Sequence, residues 1–436
     1  VVKAVDPELA DFLKADIDWQ QAKGETITVL VIPANYFAVL QEITPLFTKL
    51  TGINVEYQII PPLQLREKHI LDLSTKAGQF ASAATDPMYY PLYVTNGWIE
   101  DLGPYLDNPK LTNKEWLDLN DIIPAWLEAT KYQGKLYGLP YDGECTIHYY
   151  RSDLYTEKGL RPPETLDDLR ETARRLHAPT ANLYGIALRG FKGPGQNMYI
   201  FPSLFRAFGG EWFDKDGRPT VNSKQGVEAL TFYVDLLTSY APSAVVNWNW
   251  PEILDAFVGG TIAQFIDASS PAAAVANPAK SKVVGKVAFG RWPKGPAGRR
   301  VTSIWNWSFP INRAISDRAK VATWLWIQWA VSKPVQIRTS YAYQGKTDRR
   351  AGVNRLSLWQ DERYRQSVNF GPGFAEVVLT SLREDTDPEW RPRVPQWPEI
   401  GNIMATAIQK ALVKQATPKE ALDEANTQIQ DLLKKR

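Results

Sequence analysis

The chain of 436 residues has one cysteine, Cys145, and three histidines, His69, His148 and His177. A lone cysteine excludes an intrachain disulfide. With so few histidines beside it, it argues against a zinc or redox centre. Charge of one sign is also lacking. Fifty Lys+Arg against 48 Asp+Glu leave a net charge of +2, which argues against a polyanion such as nucleic acid as the main partner. No stretch reaches the roughly 18 apolar residues that a membrane-spanning helix needs, so no membrane insertion is expected. The opening VVKAVDPELADFLKADIDW is mixed and acidic, without a positive segment followed by an apolar one. The expectation is a cytoplasmic chain or one whose targeting segment has been removed. There is no GxSxG elbow, no P-loop, no dinucleotide fingerprint, no short tandem repeat and no low-complexity tract.

What is present is an ordinary globular composition, 44% apolar and 22% charged, which excludes disorder and coiled coil at the level of the whole chain. The length suggests about two to three domains. Tryptophan is in excess, at 16 residues. Many must be core, and the surplus asks for a partner with flat apolar faces.

The hydrophobic pattern predicts a short amphipathic helix in the first 23 residues, with Leu9, Phe12, Leu13 and Ile17 on one face. A strand follows at Ile27 to Ile32, then a helix from about Val39 to Leu50 stopped by Gly52, then a strand at Ile53 to Tyr57. Strand, helix and strand within about 30 residues form a βαβ unit and imply a parallel sheet. Thr165 with Asp168, Ser223 and Ser316 each open a helix, and Thr417-Pro418-Lys419-Glu420 is a strong helix start. β-type runs lie at Tyr184 to Leu188, Val283 to Phe289 and Trp305 to Ile311. The class is α/β, in two lobes.

Candidate chemistry falls in three places. Asp142 and Glu144, two apart on a strand, have the spacing of a carboxylate pair for sugar-bond cleavage, or of a hydroxyl-binding or turn-capping acid. Cys145 reads as a buried small residue and His148 as a strand histidine. The Gly190–Gly195 run is either a flexible loop or one whose polar end, Gln196-Asn197, reaches a ligand. The aromatic clusters are more informative. Trp248-Asn249-Trp250 and Trp305-Asn306-Trp307 interleave indoles with an amide, and Tyr36-Phe37 and Met88-Tyr89-Tyr90 follow predicted strands. Loops after parallel strands are where open α/β sheets bind ligands. Sugars offer C–H patches to aromatic faces and hydroxyls to Asp, Asn, Gln or Glu. A core role for any single tryptophan is the alternative.

The chain from about residue 25 onward resembles the family 1 extracellular solute-binding proteins of ABC importers, the maltose-binding-protein-like group. The resemblance rests on the order and spacing of Phe47 to Val55, Gly134 to Tyr141 followed by Tyr149 to Leu154, Phe257 to Ala263, Trp307 to Ile311 and Thr417 to Ile429. It implies a type II periplasmic-binding-protein-like fold with a ligand cleft between two lobes joined by hinge strands. The first lobe would hold 1–142 with 288–331 and the second 146–287 with 335–436, with crossings near 143–145, 287–288 and 332–334.

The resemblance implies ligand contacts at Asn35, Tyr36, Asp86, Tyr89, Tyr141, Asp142 and Glu144. It places Trp307 on the return strand, with Trp305-Asn306 where small residues are common, and Trp248, Trp250 and Asp267 at second-lobe positions; Asn197 is carried from the glycine loop. The bulk of Trp305-Asn306 narrows the expected cleft floor and favours a small sugar or sugar alcohol over a long oligosaccharide. The implied protein is a non-catalytic receptor, without metal or cofactor, that closes on a small carbohydrate or polyol and delivers it to the transmembrane subunits of an ABC permease. It is expected to be monomeric and periplasmic, or extracellular and membrane-associated. The rivals are a receptor for a polyamine or amino sugar using Asp86, Asp142, Glu144 and Asp267, and a glycoside hydrolase using Asp142 or Glu144.

Overall fold

A computed structural model describes residues 6–341 and 350–434. The chain forms two compact units, Val1–Gly143 with Trp305–Ser367 and Glu144–Ile304 with Val368–Arg436. The units divide after Gly143, Ile304 and Ser367. The second and third boundaries come later in the chain than the expected 287–288 and 332–334, for local reasons. Val287–Gly290 pairs antiparallel with His148 to Arg151, so it stays with the second unit. Lys333–Tyr341 packs on the helix Asn35–Thr51, and the Arg350 side chain pairs with Asp142, so this stretch stays with the first.

The first unit is built on a parallel sheet in which Thr26–Val31 lies between Asn54–Ile59 and Ser82–Ala83. Val29, Leu30 and Val31 of the middle strand are fully enclosed, as a strand covered on both faces requires. The βαβ unit forms as expected. Its helix starts earlier than the apolar stripe, at Asn35, and ends at Gly52, whose left-handed backbone (φ 70°) lets its N–H reach the Thr48 carbonyl at 2.8 Å. The N-terminal helix is only Ala10–Leu13, because the chain turns at Asp16 with φ 50°; Phe12 is buried and Leu13 is exposed. Asp317–Val331, capped by the Ser316 hydroxyl, brings Trp324, Trp326 and Trp329 into the core. There Phe309 meets Trp326 at 4.6 Å and Phe47 meets Trp329 at 5.3 Å. Twelve of the 16 tryptophans are buried, Trp305 and Trp307 among them, and seven are almost wholly enclosed, so the surplus is largely a core surplus.

In the second unit the long strand Leu139–Arg151, which enters it at Glu144, has Gln264–Ala268 on one side and Val287–Gly290 on the other, both antiparallel. Tyr149 stacks on Phe265 at 4.3 Å. The predicted helices are present: Leu166–Leu176 with a full capping box from Thr165 and Asp168, Lys224–Tyr240 capped by Ser223, and Pro418–Lys434, where Glu420 accepts from the Thr417 N–H and hydroxyl. Every residue of Asn197–Ala207 is buried. The helices Lys224–Tyr240 and Trp397–Leu412 both pack on it.

The run Tyr184 to Leu188 is not a regular strand. It follows Gln264–Ala268 through isolated parallel bridges, Tyr184 to Ile262 and Ala187 to Phe265. Between them Gly185 passes so close to Leu166–Leu176 that a Cβ would lie 2.0 Å from the Ala173 carbonyl oxygen. Gly185→Ala must therefore push two backbones apart. It is expected to lower stability by about 1–3 kcal/mol, read as a fall in the urea midpoint at unchanged slope.

Candidate functional site

In the first unit, the chain leaving Thr26–Val31 turns into the helix Asn35–Thr51. The Asn35 side chain accepts from the Tyr36 N–H at 2.8 Å, and the Tyr36 carbonyl accepts from the Tyr141 hydroxyl at 2.9 Å. Asp86 follows the short strand Ser82–Ala83 and is buried. Arg66, from the helix Pro62–Thr75, holds both its carboxylate oxygens, through Nε and through Nη2, the latter at 3.2 Å. The same guanidinium lies 5.7 Å from the Trp305 ring centroid. Trp305 meets Trp307 edge to face at 5.9 Å. Tyr89 packs beside Tyr93 at 5.8 Å. A carboxylate, a guanidinium and indole rings are thus collected from a loop, a helix and a strand.

Two first-unit candidates go elsewhere. Residues 305 and 307 share one face of the strand Ile304–Phe309 and Asn306 takes the other. Asn306 is fully enclosed, donating to the Trp126 carbonyl at 3.1 Å. Asp142 accepts from Arg350 Nε at 2.7 Å, while Arg350 also donates to the Tyr141 carbonyl at 2.6 Å and the Thr339 hydroxyl at 2.5 Å. This acid ties together three stretches of the first unit.

The second unit carries a parallel arrangement. Asp267, on Gln264–Ala268, is buried and accepts from Arg189 through both oxygens, with Nε at 2.8 Å. Arg189 also donates to the Gly195 carbonyl at 3.0 Å and lies 4.6 Å from the Tyr199 ring centroid. Burial works against its charge, but Asp267 outweighs that and raises the guanidinium pKa. Glu144 is half-buried and accepts from the Ser270 hydroxyl. Burial pushes its carboxyl up to about 6, against the opposing pull of Ser270 and Arg189.

The glycine loop is held from both ends. Asn197 accepts from the Gly193 N–H at 3.4 Å and donates to the Ala405 carbonyl at 3.1 Å, fully buried. Its amide fastens the loop to the helix Trp397–Leu412. The Phe191 N–H donates to the Trp248 carbonyl at 2.9 Å. Trp248 is half-buried, and Phe191 and Trp250 are exposed at 47% and 44%, which leaves apolar rings at the surface of this unit.

Sequence reasoning missed Arg66, Arg189, Ser270 and Phe191. The arginines lie 20 and 78 residues from their acids, with no motif to link them. Phe191 carried a usable signal: a large aromatic standing alone in a Gly/Pro-rich run. Among the described residues no group of His, Cys, Asp and Glu is placed to hold a metal ion.

The fold is that of the type II periplasmic solute-binding proteins. The chain belongs to the bacterial extracellular solute-binding protein family, whose model matches residues 31–337. This is a family of solute-binding receptors. A mannitol-binding protein of Pseudomonas aeruginosa is 29% identical over 415 residues, 92% of this chain and 91% of the relative. An erythritol/L-threitol-binding protein of Mycolicibacterium smegmatis is 28% identical over 340 residues, 75% of this chain and 71% of the relative. An ABC transporter solute-binding protein of Agrobacterium radiobacter, solved in complex with ribitol, superposes with a TM-score of 0.83 at 28% identity, covering 94% of this chain and 99% of that one. No helix among the described residues is long and apolar enough to cross a membrane.

The Asp267–Arg189 pair lends itself to a direct test. Arg189→Met leaves a buried carboxylate without its cation and is expected to cost about 3–5 kcal/mol in denaturant titration. Replacing both residues, Arg189→Met with Asp267→Leu, should recover most of that loss, because neither charge then has to be buried.

Proposed function

We propose that this chain is a non-catalytic extracytoplasmic receptor for a linear sugar alcohol of four to six carbons, which it delivers to an ABC permease. One observation carries the reading. In each unit, an acid expected to contact ligand sits in a bidentate pair with an arginine beside an aromatic ring. Such a pair is neutral overall yet offers both an acceptor and several donors. A vicinal diol needs that combination, because each hydroxyl both gives and takes a hydrogen bond. Trp305, Trp307 and Trp250 supply faces for the C–H side of the ligand. Relatives named for mannitol and for erythritol or L-threitol, and a neighbour solved with ribitol, support the same ligand class.

A cationic ligand fits less well. Asp86, Asp142 and Asp267 each already have an arginine. A glycosidase fits less well too, since Asp142 is committed to Arg350. Asn35, Tyr36, Tyr89, Tyr141 and Glu144 complete the proposed contacts. The receptor works as a monomer, and ligand binding draws the two units to a closed state by hinge motion, the form that a permease reads.

A thermal-shift screen tests this reading. At about 100 times Kd a linear polyol adds about 2.7 kcal/mol, so mannitol, ribitol or erythritol should raise the melting temperature by several degrees. The shift should change little with salt, and spermidine should give none. A shift with spermidine and with no polyol would overturn the reading. Trp305→Ala should weaken polyol binding by about 1 kcal/mol or more, measured by calorimetry. Small-angle scattering should show a smaller radius of gyration with ligand than without.

A further inference from the structure

Glu144 stands apart from the other acids of the proposed site. Among the described residues it is in no ion pair, and it accepts a hydrogen bond from the Ser270 hydroxyl. Asp267 and Arg189 form the adjacent ion pair, Tyr199 comes from the helix Asn197–Ala207, and Cys145 and Tyr149 are on its own strand. Arg391 lies 5.9 Å from the Tyr199 ring centroid and 3.8 Å from that of Trp390, where it packs on aromatic rings. With Glu144 ionised, the immediate group of Arg189, Asp267 and Glu144 carries one positive and two negative charges. Once a bound ligand excludes water from the half-exposed Glu144 carboxylate, that excess is cancelled by a proton or by a cation on the ligand.

We propose that Glu144 is a specificity-determining residue: with its carboxyl protonated the site takes a neutral polyol, and with its carboxyl ionised it takes an amino polyol, whose ammonium supplies the missing positive charge. The inference rests on the polyol reading above and extends it to a second ligand class. Burial already lifts the carboxyl to about 6, so a modest further push from a bound ligand changes its charge in the neutral range. A neutral polyol displaces water from it and raises that value further, so the complex holds more protons than the free protein. Polyol affinity is then highest at low pH and falls as pH rises through and above about 6. An ammonium lowers the value in the complex, so amino-polyol affinity is lost at low pH and rises as pH climbs towards about 6, below the window in which the polyol is lost.

The test is calorimetric titration of D-mannitol, ribitol and glucamine at about pH 5, 6, 7 and 8. The two neutral polyols should bind at least about fivefold more weakly at the top of the range than at the bottom, and glucamine should change about as much in the opposite direction, as a shift of about one pKa unit implies. Polyol binding should take up protons and glucamine binding should release them. Glu144→Gln should flatten both profiles. Ser270→Ala, which removes a hydrogen bond to the charged form, should move both midpoints to higher pH. Polyols that bind with a flat profile, or slopes that survive Glu144→Gln, would overturn the role of Glu144 while leaving the polyol reading intact. Absence of binding by all three ligands at every pH would overturn the polyol reading itself.

Discussion

The bidentate contact between a buried carboxylate and a guanidinium is the constraint on which the candidate site depends. An ionised Asp at the position of Asp86 or Asp267 cannot stay in a dry environment alone. Arg66 and Arg189 make that position tenable, and each does more than neutralise. Arg66 lies over Trp305, and Arg189 lies over Tyr199 while gripping the Gly195 carbonyl. Charge balance and ring placement are therefore coupled at both places, and at Arg189 loop anchorage as well. Arg350 applies the same device to a purely architectural end at Asp142. The same pair of residue types lies beside aromatic rings in two settings and at a junction of chain segments in the third, and the difference lies in what else the guanidinium can reach.

The features read correctly from sequence are the local ones. Thr165 and Asp168 are three residues apart and cap each other within one turn, and Gly52 ends its helix through a bond to a residue four positions away. Strand, helix and strand in succession allow one sensible pairing, and it is the one observed. Where a partner is remote, the same residues are ambiguous. Asn306 shares a strand with Trp305 and Trp307, yet the alternation that unites the indoles turns the amide into the core beside Trp126. Asn197 reads as the polar end of a loop and is a buried fastener reaching Ala405, 208 positions on. The tryptophan surplus had two explanations, and composition alone cannot weigh a core against a binding face. The helix Asp317–Val331 alone encloses three of them.

The expected unit boundaries show the same division. The first lies on a strand whose flanking phrase is recognisable. The later ones depend on which neighbour Val287–Gly290 and Lys333–Tyr341 choose, a matter of pairing and packing that no short motif records.

Each unit is assembled from two stretches of chain separated by a stretch of the other. The buried helix Asn197–Ala207 must wait for Trp397–Leu412 to emerge before its far side is covered, and the sheet led by Thr26–Val31 must wait for Asp317–Val331. Neither core can close until its second stretch has been made, the first after 305–367 and the second after 368–436. Slow, late collapse of this kind exposes sticky intermediates to chaperones and also keeps a chain threadable. The interleaved connectivity thus makes each unit wait for chain that lies beyond a stretch of the other, independently of any ligand.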